Sequence, residues 1–246
     1  MKSLSSYWQV SRAPRYSLLF ALPLLLAYQV LAALQPVTAQ GSVRNGADVI
    51  LESLFVALAG RQGPLVFMAC LIAFGLWLVI RDMRRHGGNL RGVVFAAMLA
   101  EAAVLAVAFG LVVGGLTTRV VGPPPRAMIG QSEVENLGLA TRLMLSVGAG
   151  LYEELLFRVV LVAALAWVGQ NVFGWRPVFA GVCATIVGAA VFSAVHYIGA
   201  YGDRLTLYSF VFRMLAGVFF SALYLTRGFG ITAWTHALYD TLLLLR

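Results

Sequence analysis

Charged side chains are scarce. Asp, Glu, Lys and Arg make up 11% of the 246 residues, where a soluble domain carries about a quarter. Hydrophobic residues reach 61%, against about half in a soluble domain, which argues against a water-soluble fold. Cysteine is nearly missing. Cys70 and Cys183 both lie in apolar stretches and read as buried free thiols, so no disulfide framework is expected. Histidine occurs three times, and no H-E-x-x-H helix is present, which removes the simplest zinc-protease signature. No repeat relates the two halves of the chain, which argues against the inverted architecture of many transporters.

What the chain does have is long apolar blocks, several of them near the roughly 20 residues needed to cross a bilayer. The formal net charge is +8. Its arginines fall mainly at the ends of apolar blocks, as the positive-inside rule produces, so nucleic acid is not an expected partner. Lys2, Arg12 and Arg15 precede an apolar run, and Val37-Thr38-Ala39 resembles a signal cleavage site. The run is longer than the usual h-region of about 7–15 residues, so an uncleaved first span is preferred.

Seven spans are expected, at 17–34, 64–80, 92–115, and within 139–168, 177–198, 205–225 and 231–245. The fold class is therefore all-α, a polytopic transmembrane helix bundle. Residues 47–59 form an amphipathic segment, with Asp48 and Glu52 four apart on one face; it reads as an interfacial helix or a packed loop helix. The second span ends in a basic cluster, Arg81, Arg84 and Arg85, with Arg91 close behind. The third carries Glu101 and Gly110-xxx-Gly114, a spacing that lets another helix approach. A break over 117–138 contains Pro123-Pro124-Pro125, which cannot continue a helix. It separates an N-terminal three-span region, 1–138, from a four-helix region, 139–246.

With the N-terminus in the cytoplasm, Lys2, Arg12, Arg15, the cluster from Arg81 to Arg91, Arg176 and Arg227 lie inside. Arg44, Arg61, Arg119 and Arg126 lie outside, balanced in part by Asp48, Glu52, Glu133 and Glu135. The bias favours an N-in, C-out orientation, and the expected location is a bacterial plasma membrane.

The informative residues interrupt the apolar blocks. Ionisable groups at membrane depth cost about 2.5–3.5 kcal/mol or more each, and they usually face the protein interior and serve function. The fourth span holds Glu153, Glu154 and Arg158, the fifth His196, the sixth Arg213, the seventh His236 and Asp240. Glu154 and Arg158 are four apart and suit an ion pair. Glu153 is rotated about 100° from Glu154, so the adjacent carboxylates meet different neighbours. His236 and Asp240 are also four apart; the aspartate can orient the imidazole, or both can meet one ligand. A carboxylate in a low-dielectric pocket can act as general base. One histidine can hold the same water and another can stabilise an oxyanion. Two histidines and a glutamate are equally the ligand set of many catalytic zinc sites, with Glu153, His196 and His236 as the candidates.

These residues resemble a family. Glu153-Glu154-xxx-Arg158, then Phe192-xxx-His196, then His236-xxx-Asp240 look like the signature of the CAAX prenyl protease and bacteriocin-processing (CPBP, or Abi) intramembrane proteases, over roughly 139–245. The resemblance implies peptide-bond hydrolysis within a helical bundle, on a membrane-associated protein or peptide. It implies that Glu153 and His196 activate water, that Glu154 pairs with Arg158, and that His236 with Asp240 forms the oxyanion site. The family has been described both as metal-dependent and as glutamate-dependent, so the cofactor is either none or zinc. The last motif position is often Asn, and an ionised aspartate cannot donate a hydrogen bond to an oxyanion; orientation of His236 is the role favoured for Asp240. A plain span count places His196 and His236 at different depths, and they share a site only if helices are tilted, short or broken.

Other readings are blander. Arg213 tethers helices or meets a phosphate head group. Glu101 makes an interhelical hydrogen bond or faces the cavity. Phe192 packs beside His196, and Tyr152, Tyr197 and Tyr239 pack near the motifs. His86 is solvated. A proton-coupled transporter or channel, or a non-catalytic scaffold or immunity protein, are the alternatives to a peptidase.

Overall fold

The computed structural model describes residues 2–35, 43–124, 137–199 and 202–244, with side chains from Tyr7 onward. Val37 to Ala39, Pro125, Arg126, Glu133 and Glu135 lie outside the described residues, as does the last residue expected in the seventh span. Among the described residues there are helices and turns and no strand.

The helices are α1 (Lys2–Arg12), α2 (Pro14–Ala33), α3 (Gly46–Ala59), α4 (Gly63–His86), α5 (Gly92–Val121), α6 (Leu139–Gly148), α7 (Ala163–Asn171), α8 (Pro177–Val195), α9 (Leu207–Arg227) and α10 (Phe229–Leu244). Two π-helical stretches, Ala149–Glu153 and Leu155–Val162, join α6 to α7. Proline sits in the first turn of α2, α4 and α8, where its missing N–H has no intrahelical partner to lose. Gly228, at φ 79°, makes the single-residue turn between α9 and α10 in a backbone conformation that side chains with a Cβ resist.

All seven expected spans are helical. Five stretches are long and apolar enough to cross a membrane: Pro14–Ala33, Gly46–His86, Gly92–Val121, Pro177–Val195 and Leu207–Arg227. The protein is an integral membrane protein. The outer surface is correspondingly apolar, with Leu58, Val93, Leu111 and Val178 among the most exposed side chains. The fourth segment, α6 to α7, is interrupted by its charges and its π-turns. The last, α10, has 16 residues, about 24 Å of helix. It is shorter than a hydrocarbon core of about 30 Å and lies inside the bundle, with Ile231, Thr232, Ala233, Thr235, His236 and Ala237 buried.

Close helix approach rests on small residues, as is usual without a hydrophobic drive between lipid-solvated helices. A Cβ on Gly150 would lie 2.4 Å from the Ala233 carbonyl oxygen and 2.7 Å from the Ala237 Cβ. Neither atom is the end of a flexible chain. Gly150→Ala is therefore expected to cost about 1–3 kcal/mol by overpacking, and to lower the melting temperature of the detergent-solubilised protein.

Several expectations need correction. The helix carrying Glu101 continues to Val121, so the break starts later than 117. The amphipathic segment is α3, which folds back on α4 with Phe55 against Phe67 at 5.3 Å; it is a packed helix. Of the Gly110 and Gly114 pair only Gly110 is closely approached: a Cβ there would lie 3.1 Å from the Tyr239 ring, while one on Gly114 would meet nothing within 4 Å. Both cysteines are free, but Cys70 is exposed and Cys183 half-buried.

Helix α1 was not anticipated. It is held where α5 and α9 meet it. Arg227, counted among the inside loop charges, is buried, and Glu101 takes both its Nε at 2.6 Å and its Nη2 at 2.7 Å. Tyr7 donates to the same carboxylate at 2.6 Å. Burial, with the Glu101 carboxylate, pushes the Tyr7 hydroxyl up, so it remains a donor. Glu101 thus makes interhelical bonds to Arg227 and Tyr7. His86 is largely exposed and also contacts Asp82 through Nδ1 at 2.8 Å.

Candidate active site

Glu153, Glu154 and Arg158 all fall in or between the π-helical stretches. A π-turn is rare and occurs often at functional sites. The two carboxylates do part company. Glu154 is fully buried, whereas the Glu153 side chain keeps 13% of its surface, His196 25% and Asp240 28%. Those three are partly exposed, and Glu154 is not.

Glu154 is the hub. Its Oε2 lies 3.2 Å from Arg158 Nε, and its Oε1 bonds His236 Nδ1 at 2.7 Å. The second contact was not expected. Glu154 makes the shorter bond to the imidazole, and Asp240 Oδ2 stands 3.6 Å from the other ring nitrogen, His236 Nε2, so two carboxylates flank the ring.

Arg158 is buried between aromatic faces, its guanidinium 4.4 Å from the Phe192 ring and 5.5 Å from the Phe220 ring. Such contacts favour a desolvated cation. The same two rings position the histidines. Phe192 meets the His196 ring edge-on at 4.8 Å. Phe220 stacks on His236 at 4.4 Å with 19° between planes, and is backed by Phe109 at 4.6 Å. Phe192 also lies 6.4 Å from His236, so one ring touches both imidazoles.

That contact removes the depth mismatch. His196 caps the end of α8. His236 sits near the middle of the short α10, and the two reach one site.

His196 Nδ1 donates to the Phe192 carbonyl oxygen at 2.7 Å. This fixes the tautomer and leaves Nε2 as the acceptor. Nε2 then faces Glu153 Oε2 at 3.8 Å, beyond a direct hydrogen bond. The backbone after His196 is tied down too. Asp203 N–H donates to the His196 carbonyl at 2.9 Å, and Asp203 is paired with Arg213. Arg213 also donates to Tyr197 Oη at 3.3 Å. Arg213 is thus a tether of the His196 loop.

Tyr152 accepts from Gln29 Nε2 at 2.8 Å and packs on Tyr28. Tyr239 packs edge-on against Phe109 at 4.4 Å. Two residues near the centre escaped the sequence. Phe220 is one phenylalanine among many in an apolar helix and carries no local signal. Asn45 donates from Nδ2 to Glu153 Oε1 at 3.0 Å. Its position just before an amphipathic helix is an N-cap signal, but spacing gives no hint of a partner 108 residues away.

The chain is thus an all-helical integral membrane protein whose glutamates, histidines and aspartate converge in the bundle. Residues 135–242 match the model of the family described as type II CAAX prenyl endopeptidase Rce1-like, and the three ordered motifs lie within this segment. No curated protein and no solved structure matches the chain.

Proposed function

We propose that the protein is an intramembrane endopeptidase that hydrolyses peptide bonds of membrane-associated proteins or peptides with a water activated by Glu153 and His196. One observation carries this most directly. Glu153 Oε2 and His196 Nε2 face each other 3.8 Å apart, both partly exposed, and the other nitrogen of His196 is committed to the Phe192 carbonyl. A water held by both acceptors loses a proton to Glu153 as its oxygen attacks the scissile carbonyl. The proton passes on to the departing amine. His236, anchored by Glu154 and flanked by Asp240, stabilises the oxyanion. Glu154 and Arg158 support it from behind. The protease match favours this reading over a transporter, channel or scaffold.

Prenylated CAAX proteins belong to the description of the matched family and are one substrate class to assay here. The exposed Arg81, Arg84, Arg85 and Arg91 at the α4–α5 turn support a cytoplasmic location for that turn and for the N-terminus, in a bacterial plasma membrane.

A zinc mechanism would use Glu153, His196 and His236. Among the described residues no group of three or more His, Cys, Asp or Glu side chains is placed to hold a metal ion. The protein purified in detergent and stripped by a chelator is expected to cleave a membrane-associated reporter peptide at its original rate, with metal content checked by mass spectrometry. Loss of cleavage that zinc restores would overturn the glutamate mechanism.

A further inference from the structure

Asn45 sits outside the family-matched segment, yet each polar end of it is committed. Its Oδ1 accepts the Ala47 amide at 2.9 Å and caps α3. Its backbone N–H donates to Tyr28 Oη at 3.1 Å. Because the cap requires oxygen at that position, the amide NH2 has one direction left, toward Glu153 Oε1 at 3.0 Å. Tyr28 is itself fixed. Its hydroxyl donates to the buried Asp48 at 2.7 Å, and Asp48 pairs with Arg44 at 2.8 Å. A continuous line of bonds therefore runs from Arg44 through Asp48, Tyr28 and Asn45 to Glu153.

The packing on the other side is made for this approach. A Cβ on Gly148 would lie 2.6 Å from the Tyr28 ring and 2.8 Å from the Asn45 Cβ. Glycine there, one turn before Glu153, lets Tyr28 and Asn45 close on α6.

We propose that Asn45 is a positioning residue for the hydrolysis, its amide pinning Glu153 Oε1 so that Oε2 is the oxygen presented to water and to His196. The inference rests on the reading of Glu153 as general base. It makes the N-terminal helices part of the working site: residues 139–246 supply the reacting groups, and Asn45 of the 1–138 region aims one of them.

Kinetics and thermal melting of the full-length protein test it. Asn45→Asp is isosteric and remains a good N-cap, but it puts an acceptor where Glu153 needs a donor. Asn45→Ser keeps a capping oxygen and lacks the reach to Glu153. Both are expected to lower kcat by about 10–150-fold, the range for one charge-assisted hydrogen bond, with KM unchanged; Asn45→Ser keeps the melting temperature, whereas Asn45→Asp, which buries a carboxylate beside Glu153, also melts lower. Asn45→Ala loses the cap as well and is expected to melt lower. Wild-type kcat in Asn45→Asp and Asn45→Ser, alongside an inactive Glu153→Gln, would overturn this inference alone. So would a kcat loss in Asn45→Ser that tracks a fall in melting temperature, since that is a capping effect. Undiminished cleavage in Glu153→Gln would instead overturn the hydrolytic reading beneath it.

Discussion

Glu153→Gln is expected to reduce kcat for peptide cleavage by about 10²–10⁴-fold, the usual contribution of a positioned general base, while the bundle stays folded. The amide keeps the size of the carboxylate and cannot take a proton from water. Glu153 is placed for such a clean result. Its side chain is partly exposed, it has no guanidinium within ion-pair distance among the described residues, and its polar contacts are with Asn45 and His196. His196→Ala is expected to fall to a similar level, because in the proposed mechanism the two groups share one water. Steady-state kinetics on the purified variants, with melting curves beside them, check both.

Glu154→Ala and Arg158→Ala are expected to behave in the opposite way, destabilising the fold by about 3–5 kcal/mol each. Removing one partner of a buried ion pair leaves the other charge uncompensated. Glu154 and Arg158 are both fully inside, and Arg158 Nη1 and Nη2 find no hydrogen-bond partner among the described residues. The guanidinium has Glu154 and the faces of Phe192 and Phe220 to hold it. Loss of Glu154 also frees His236 Nδ1, so any residual folded protein is expected to be inactive. Thermal unfolding should move by on the order of ten degrees. Two neighbours in sequence would then differ in kind: Glu153 substitutions silence a stable protein, and Glu154 substitutions unfold it.

The helices were legible in the sequence because bilayer-length apolar runs admit few other structures. The seventh segment is helical as expected, but at 16 residues α10 is too short to cross alone. The pairing of Glu154 with Arg158 followed from helical spacing and survives in the π-helical segment. What spacing could not reveal was tertiary. The bond from Glu154 to His236 joins residues 82 apart. The aromatic plates under both imidazoles come from α8 and α9, and Asn45 reaches Glu153 from a cap on α3. The apparent depth mismatch came from treating each span as a straight rod of equal length. His196 ends its helix, His236 lies midway along a short one, and the ring of Phe192 bridges the difference. Helix α1 was missed because it is too short and too polar to register as a span; its place is set by Glu101 and Arg227, which no local pattern connects.

Mass spectrometry of new N- and C-termini tests the central claim most directly, comparing membranes of cells that carry the wild-type protein with membranes that carry an equal amount of Glu153→Gln. The account predicts termini generated within membrane-associated segments that are present with the wild type and absent with the variant. Identical termini in the two membranes, at matched protein levels, would contradict it.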